Sequence, residues 1–328
     1  MTFSSTFTQL FPPKPGFIEK DVPDLSGQVY IVTGANTGIG KGLAGLLYSK
    51  NANVYIGVRS ESKANAAIKE FKEASPRSKG SLTFLPLDLA DLSKIKQSAD
   101  FFLARERKLN VLWNNAGIMK VAPGEEDAKT AQGHEIHMGT NCLGTFLFTK
   151  FLTPILSETA QTAPAGQVRV VWVSSTIDLA ADKNTGFDMN NLDYKTPRPA
   201  MNRYGYSKVG NYFQAVEYAR QTKNTGIVSL AVNPGNLRSD LYREHGGLTK
   251  VALNLVTYAP INGSYTLLYA GMSPEITAKS TGSFVFPFGR LREPRSDLVL
   301  AARPEEDGGN GTGPEFWQWC EKQVKQFA

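Results

Sequence analysis

Tyr204 and Lys208 are four positions apart in a stretch with helical spacing, and together they could exchange a proton with a substrate. Side chains at positions i and i+4 lie on the same helix face, one turn apart. An ammonium group beside a phenol lowers the phenol's pKa from its reference value of about 10, which makes proton transfer feasible near neutral pH. The pair alone is a weak signal, so its weight depends on the residues that the rest of the chain places beside it.

Two further polar positions could complete such a site. Ser174 and Ser175 follow the apolar run that begins at Val170, at the end of a predicted strand, where α/β sheets place their ligands. The sequence does not decide between the two serines, and we favour Ser175. Asn141 lies in the long helix predicted before that strand, where a buried asparagine could kink the helix and hold a water molecule.

The run from Tyr30 to Gly40 is the clearest signal for a nucleotide site. An apolar, β-branched strand enters a turn with Gly34, Gly38 and Gly40, and a helical pattern follows directly. Such a turn lets the backbone approach a pyrophosphate and points the N-terminus of the next helix at it. We expect Gly34 to adopt a φ that other residues avoid, and Gly38 and Gly40 to leave room for phosphates. The spacing fits neither a P-loop nor the G-x-G-x-x-G fingerprint.

Strands and helices alternate along the chain, and the strands are almost continuously apolar. This pattern indicates a parallel sheet covered on both faces. We predict an α/β fold, a single domain of residues 25–328 with a doubly wound, seven-stranded parallel sheet and helices on both faces. The predicted strands are 29–33, 53–58, 82–87, 111–114, 168–174, 227–232 and 283–286. The predicted helices are 38–50, 61–74, 92–107, 133–157, 203–222, 262–272 and 315–327.

Composition excludes several classes of protein. The 328 residues carry a formal charge of +6, but the basic residues are scattered and no nucleic-acid motif accompanies them, so we expect no nucleic-acid partner. Residues 1–24 form a proline-rich leader, and we find no apolar run long enough for a membrane span. The two cysteines, Cys142 and Cys320, give no disulfide framework. These features predict a cytoplasmic protein.

A second motif, Asn-Asn-Ala-Gly at Asn114–Gly117, follows the fourth predicted strand. The chain resembles the short-chain dehydrogenase/reductase family over roughly residues 25 to 290. The resemblance depends on this motif, on the glycine spacing of the first turn and on the polar residues Asn141, Ser175, Tyr204 and Lys208. The resemblance implies a Rossmann fold in which Tyr204 is the general acid/base and Lys208 binds the nicotinamide ribose. It also implies that Ser175 holds the substrate oxygen and that Asn141 anchors a proton-relay water.

The resemblance further implies which residues contact a nicotinamide cofactor. Asp88 resembles the adenine-contacting position, and Pro234-Gly235 followed by Ser239 resembles the turn that closes over the carboxamide. No metal ligand is expected, because His134 and His137 lack the i,i+4 spacing of the zinc helix motif. The whole predicted cofactor set is Gly34, Thr37, Gly38, Ile39, Gly40, Arg59, Lys63, Asp88, Asn115, Ala116, Gly117, Tyr204, Lys208, Pro234, Gly235, Leu237 and Ser239.

The second predicted strand ends at Arg59, where an NAD enzyme would place a carboxylate. Arg59 can make a paired, charge-assisted contact with a 2′-phosphate, and Lys63 lies one helical turn further on. We therefore predict NADP(H) as the cofactor.

Three features suggest a branch of the family and a substrate class. The long segment between Ser175 and Tyr204 and the run Arg238-Ser-Asp-Leu241 resemble the retinol-dehydrogenase-like branch, and the Phe-Trp-x-Trp helix at 315–327 resembles fungal biosynthetic reductases. The apolar residues of a predicted lid, 236–260, suit an apolar small-molecule substrate, such as a secondary alcohol, ketone or aldehyde of secondary metabolism. Family members commonly pair through the helices that carry Asn141 and Tyr204, which implies a homodimer or homotetramer.

Two other functions remain open from the sequence. The chain could be a regulatory protein that senses NADP(H) without turnover, although such a sensor has no physical need of all four polar residues. It could also be an isomerase, epimerase or dehydratase that uses the same fold and returns the hydride that it takes.

Overall fold

The computed structural model describes residues 3–122, 124–125, 127–238 and 257–328, and its strands pair into one sheet. The strands are β1 (Val29–Thr33), β2 (Asn53–Val58), β3 (Ser81–Pro86), β4 (Val111–Asn114), β5 (Arg169–Val173), β6 (Val228–Val232), β7 (Ser283–Phe286) and β8 (Arg290–Arg292). They lie in the order β3-β2-β1-β4-β5-β6-β7-β8, and all neighbours are parallel except β7 and β8. The predicted class, a doubly wound α/β sheet, is confirmed.

The strand count was predicted one too low. β8 runs antiparallel to β7, with Arg290 opposite Phe286, and the connecting turn places Phe288 and Gly289 at φ values of 68° and 85°. A three-residue strand with two arginines has no apolar pattern to detect, which is why the sequence did not reveal it. Charged side chains of this kind are typical of an edge strand, where they discourage pairing with another chain.

Helices cover both faces of the sheet. The core on one face of the sheet includes Leu43 and Leu267, and the core on the other face includes Phe146 and Phe213. The α-helices are α1 (Phe3–Leu10), α2 (Gly38–Ser49), α3 (Glu61–Ala74), α4 (Leu92–Leu103), α5 (Thr145–Thr162), α6 (Ile177–Ala180), α7 (Ala200–Gln221), α8 (Pro260–Met272), α9 (Ser296–Ala301) and α10 (Thr312–Val324).

The two faces explain why the strand sequences are almost continuously apolar. In β1 every residue is buried, with Ile31 in the core on one face and Val32 in the core on the other. Alternate residues of a strand point to opposite faces, so a sheet covered on both sides needs apolar residues at every position.

The predicted helix 133–157 is interrupted. A π-helical segment, Met138–Gly144, contains Asn141, and regular α-helix begins only with α5. The first residues of the predicted range are not helical, because Gly133 takes a positive φ and Lys129 pairs with Glu135 in an isolated β-bridge. π-Helical turns occur frequently at functional sites.

The predicted leader and the predicted lid are the segments that the fold leaves to describe. The leader contains α1, which packs back onto the carboxyl edge of the sheet; the domain boundary at residue 25 stays a prediction. Of the predicted lid, 236–260, only residues 236–238 and 257–260 lie within the described residues. Ser239 and most of the lid's apolar residues lie outside them.

Candidate active site

The sheet changes its winding direction between β1 and β4, and the candidate site is built there. Asn115, just after β4, donates from Nδ2 to the carbonyl oxygen of Thr33 at the end of β1, at 2.7 Å. The Ala116 main-chain N–H donates to Thr33 Oγ1 at 2.8 Å. These bonds join the Asn-Asn-Ala-Gly motif to the glycine turn at the switch point, where open α/β sheets bind ligands.

The glycines of the first turn have different tasks. Gly34 has a φ of 68°, as expected, and a Cβ there would lie 2.9 Å from the Cα of Ala116. Gly38 also has a positive φ, 57°, with nothing within 4 Å of the place of its missing Cβ. Gly38 therefore borders open space, and its predicted role of leaving room for phosphates stays a prediction.

Gly40 has a packing role that the sequence did not indicate. A Cβ at Gly40 would lie 2.3 Å from Asn115 Nδ2 and 2.6 Å from the Gly34 carbonyl oxygen. The absence of its side chain therefore allows helix α2 to pack closely on the Asn-Asn-Ala-Gly turn. The role predicted for it, clearing space for phosphates, stays a prediction.

The N-terminus of α2 opens into a cavity of about 660 Å³. Arg59 and Lys63, both exposed, line the cavity beyond β2, with Ser60 between them as the N-cap of α3. Asp88, after β3, also lines it and accepts the Ala90 N–H at 3.1 Å. Two cations and one carboxylate thus lie at the end of the cavity formed by β2 and β3.

Helix α7 brings Tyr204 and Lys208 to the other end of the same cavity. Lys208 is buried, its Nζ donates to the Val173 carbonyl oxygen at 2.9 Å, and it lies 5.9 Å from the centroid of the Tyr204 ring. Burial lowers the pKa of Lys208 to about 8, because desolvation disfavours the charged form. The predicted i,i+4 pair is therefore formed, with a half-buried phenol at the cavity wall and a lysine behind it.

Asn141 lies behind the cavity wall. Its Oδ1 accepts the Ile118 N–H at 2.8 Å, while Nδ2 donates to the Ile118 carbonyl at 3.1 Å and to Ser207 Oγ at 2.9 Å. Between Asn141 and the cavity lies Gly117, where a Cβ would be 3.1 Å from Lys208 Nζ and 3.3 Å from Asn141 Oδ1. Gly117 thus lets the backbone after β4 lie directly against both polar side chains.

The two serines after β5 have separate environments. Ser174 is buried, and its Oγ donates to the main-chain carbonyl of Lys208 at 2.7 Å. Both serines line the cavity, but Ser175 is half-buried and its hydroxyl is not bonded to α7 as that of Ser174 is. The hydroxyl of Ser174 therefore holds helix α7 against β5, and this geometry favours Ser175 as the serine that meets a substrate.

The structure brings most of the predicted site residues to one cavity. Leu237 is not among the lining residues, since its side chain packs on Gly263 instead and its backbone pairs with Tyr258. The predicted residues that line the cavity are Gly34, Thr37, Gly38, Ile39, Gly40, Arg59, Lys63, Asp88, Asn115, Ala116, Gly117, Ser175, Tyr204, Lys208, Pro234 and Gly235.

Sequence reasoning missed a buried pair beside Tyr204. His137 Nδ1 lies 2.6 Å from Glu135 Oε1, and His137 Nε2 accepts the Lys120 N–H at 2.9 Å. The ring of His137 packs edge-on against Tyr204, with 6.0 Å between centroids. The pair fixes the loop at Lys120, which lines the cavity. The spacing of His137 in the sequence excludes the zinc helix motif but gives no signal for its contact with Glu135.

Asn211 is a second missed residue. Its Nδ2 donates to the Asn141 main-chain carbonyl at 2.7 Å, and its Oδ1 lies 3.4 Å from Lys208 Nζ. It follows Lys208 by three positions, so helical spacing places both on one face and could have identified it. Asn211 connects the lysine to the carbonyl of Asn141.

Two kinds of feature are absent from the described ranges. No group of three or more histidine, cysteine, aspartate or glutamate side chains is placed there to hold a metal ion. Among the helices of the same ranges, none combines the length and the apolar character that crossing a bilayer requires.

The fold is shared with solved structures. A protein of Mycobacterium paratuberculosis, 26% identical, superposes with a TM-score of 0.67 and covers 94% of this chain and 98% of its own. A short chain dehydrogenase of Escherichia coli, crystallised with NADPH, is 20% identical with a TM-score of 0.58, over 81% of this chain and 98% of its own. The class that fold and site define is therefore the nucleotide-binding α/β domain.

Sequence comparison identifies the family. The family model described as short chain dehydrogenase matches residues 28–185. A short-chain dehydrogenase/reductase of Neocamarosporium betae is 48% identical over 99% of this chain and 94% of its own length, and one of Phomopsis amygdali is 49% identical over 99% and 98%. The chain belongs to the short-chain dehydrogenase/reductase family of oxidoreductases.

Proposed function

We propose that the protein is an NADP(H)-dependent oxidoreductase that interconverts a secondary alcohol and a ketone, or an alcohol and an aldehyde, on an apolar small molecule. One observation carries the proposal: the polar groups for proton transfer and the cations for a phosphate line opposite ends of one cavity. Tyr204 and Ser175 are at one end, and Arg59 and Lys63 are at the other.

The residues present fit a dinucleotide. The open space at Gly38 lies at the N-terminus of α2, where main-chain N–H groups and the helix dipole favour a pyrophosphate. Asp88 is available to the adenine, and Pro234 and Gly235 line the cavity near Tyr204. A nicotinamide bound at that end would supply or accept the hydride.

Arg59 supports NADP(H) over NAD(H). Its guanidinium lies beyond β2, where the two ribose hydroxyls of an adenosine would otherwise need a carboxylate. Lys63 lies at the same place, and two cations there favour a 2′-phosphate.

The residues at the other end have distinct tasks in reduction. Tyr204 donates its phenolic proton to the carbonyl oxygen, and Ser175 donates a hydrogen bond to the same atom as negative charge develops there. The positive charge of Lys208 stabilises the phenolate that remains on Tyr204. Lys208, with a water molecule held at Asn141, resupplies the proton. In oxidation, Tyr204 takes the proton from the alcohol.

The cavity wall near Tyr204 supports an apolar substrate. Ile118, Met119 and Ile136 line it there, and apolar lining with a few polar groups is typical of small-molecule sites. The similar fungal proteins of Neocamarosporium and Phomopsis, with their high identity over whole chains, support a role in fungal secondary metabolism.

A screen of NADPH oxidation against cyclic and aryl ketones and aldehydes tests the proposal, with Tyr204→Phe as control. We expect oxidation with at least one apolar carbonyl compound and loss of that rate in the variant. NADPH binding without turnover of any compound would instead indicate a sensor. Product formation with no net change of the added cofactor would indicate an isomerase or dehydratase.

Oligomeric state is a separate proposal. Helix α10 occupies the groove between α5 and α7, where Trp317 packs on Phe146 with 4.6 Å between ring centroids and Glu321 pairs with Lys150. Pairing is predicted through the helices that carry Asn141 and Tyr204, which are the π-helical segment that continues into α5 and helix α7. We propose that any homodimer or homotetramer forms through surface outside this groove, and light scattering of the full chain measures its mass.

A further inference from the structure

The N-terminal helix α1 lies on the carboxyl edge of the sheet, beside the candidate site. Two carbonyl groups of its last turn bind residues of the domain: Thr8 O accepts from Arg290 Nη2 at 2.6 Å and Leu10 O from Tyr258 Oη at 3.4 Å. The last carbonyls of a helix have no partner within the helix, so these contacts satisfy groups that would otherwise need water.

Gln9 carries the main contact of α1. Only 2% of its surface is exposed. Its Nε2 donates to Asp178 Oδ2 at 2.8 Å, and its Oε1 accepts from Asn233 Nδ2 at 2.9 Å. Asp178 and Asn233 are themselves buried, with 4% and 1% exposed. One amide therefore satisfies two buried polar side chains from distant parts of the chain.

Those two side chains belong to the turns that flank the candidate site. Asp178 lies three residues after Ser175, in helix α6. Asn233 directly precedes Pro234; its Oδ1 accepts the Gly235 N–H at 3.0 Å, and its Nδ2 also donates to Thr176 Oγ1 at 3.0 Å. Gln9 thus bridges the turn of the proposed catalytic serine and the turn expected to cover the nicotinamide.

Polar contacts, more than apolar burial, hold the described side chains of α1, those of residues 7–10, in place. Its Phe7 is 53% exposed, and Phe11 just beyond it is 44% exposed, although the two rings lie 5.0 Å apart. A helix that only covered the apolar core would bury such residues. The described contacts instead concentrate on Gln9 and on the carbonyl groups of the last turn.

We propose that α1 is a working part of the active site and that Gln9 is a positioning residue, which fixes the spacing between the turns at Ser175 and at Pro234. The kinetic consequence of this inference rests on the proposed function, whereas its structural consequence does not. A substrate oxygen held by Ser175 and a nicotinamide covered at Pro234 must meet within reacting distance, and small displacements of such groups cost large factors in rate.

Gln9→Leu tests the inference, since it removes both hydrogen bonds at nearly constant volume. Hydrogen exchange in peptides covering 174–181 and 232–238 should become faster by on the order of tenfold, while peptides covering 34–40 stay unchanged. With a ketone substrate, kcat/KM should fall roughly 10- to 100-fold, with a smaller loss of NADPH affinity, because the other end of the dinucleotide site is untouched. Gln9→Ala, which removes both hydrogen bonds but leaves room for water beside Asp178, should show the same two effects at smaller size and serves if the leucine variant folds poorly.

Asn110→Leu is the matched control. Asn110 is a buried amide at the opposite edge of the sheet, where its Oδ1 accepts the Val29 N–H at 2.9 Å. The Asn110→Leu variant should have a lower melting temperature than wild type, but the same hydrogen exchange in the peptides covering 174–181 and 232–238. Equal exchange in wild type and Gln9→Leu, or faster exchange of the same size in the control, would overturn the inference. A wild type that reduces no carbonyl compound would reject the proposed function, while the exchange data would still decide the role of Gln9.

Discussion

The two ends of the cavity are built in different ways. The dinucleotide end comes from short, local motifs: each strand among β1, β2, β3 and β4 ends in a turn whose residues line the cavity directly. The substrate end is assembled from distant segments, namely the π-helical segment at Asn141, helix α7, the turn at Asn233 and helix α1. Local motifs can be recognised in one sequence, whereas contacts between distant segments depend on packing that the sequence does not display.

The largest expected effect lies at the substrate end, where Tyr204→Phe removes the proposed proton donor. We expect kcat to fall by roughly 10²- to 10⁴-fold, the range typical for loss of a general acid, with little change in NADPH affinity. Tyr206→Phe is the matched control, because Tyr206 lies on the same helix and its hydroxyl donates to Asp182 at 2.8 Å, away from the cavity lining. Steady-state kinetics with both variants makes the comparison, and equal losses would remove Tyr204 from the mechanism.

Arg59→Ala tests the dinucleotide end. Loss of the charge-assisted contact should weaken NADPH binding by roughly 10- to 100-fold, with a small change for NADH, since a hydrogen bond to a charged group contributes about 1.5–3 kcal/mol. Fluorescence titration gives both dissociation constants. Arg77→Ala removes the same charge from an exposed position outside the cavity. Similar losses for NADPH and NADH in the Arg59 variant would reject its role in selecting the phosphate.

Gly40→Ala tests the contact between the two motifs. A Cβ would lie 2.3 Å from Asn115 Nδ2, so the variant should lose about 1–3 kcal/mol of unfolding free energy and bind NADPH more weakly. Gly45→Ala in the same helix is the control, because its Cβ would meet only the Phe71 ring, at 3.2 Å. Urea unfolding of wild type and both variants measures the change in the free energy of unfolding. If Gly40→Ala were as stable as wild type, the proposed packing of α2 on the turn would be wrong.

The effect that is smallest at neutral pH is the titration of Lys208. Burial lowers the pKa of Lys208 to about 8, so its charge is present below that pH and is lost as the pH rises through it. The kcat/KM for NADPH, which reports the free enzyme, should therefore fall by about tenfold per pH unit above pH 8 during ketone reduction. A profile that stays level up to pH 10 would contradict a role for the charged lysine.

The sequence predicted the alternating strands and the i,i+4 pair of α7 because both depend on short-range periodicity. It missed β8, whose three residues carry no pattern, and it did not reveal that Gly40 lies against Asn115. The structural role of Ser174 could be recognised only from the hydrogen bond of its hydroxyl to the Lys208 carbonyl, which the sequence does not show. Gln9 could not have been identified, because it is far from Asn233 in the chain and nothing in the leader marks it as buried.

The most direct measurement is transfer of label from NADPH that carries deuterium at both C4 positions of the nicotinamide. The protein is incubated with this NADPH and the panel of cyclic and aryl ketones, and the alcohol products are analysed by mass spectrometry. The account predicts one deuterium on the carbinol carbon of at least one product with wild type and none above background with Tyr204→Phe. Tight NADPH binding with no deuterium in any product, or equal labelling by the phenylalanine variant, would contradict it.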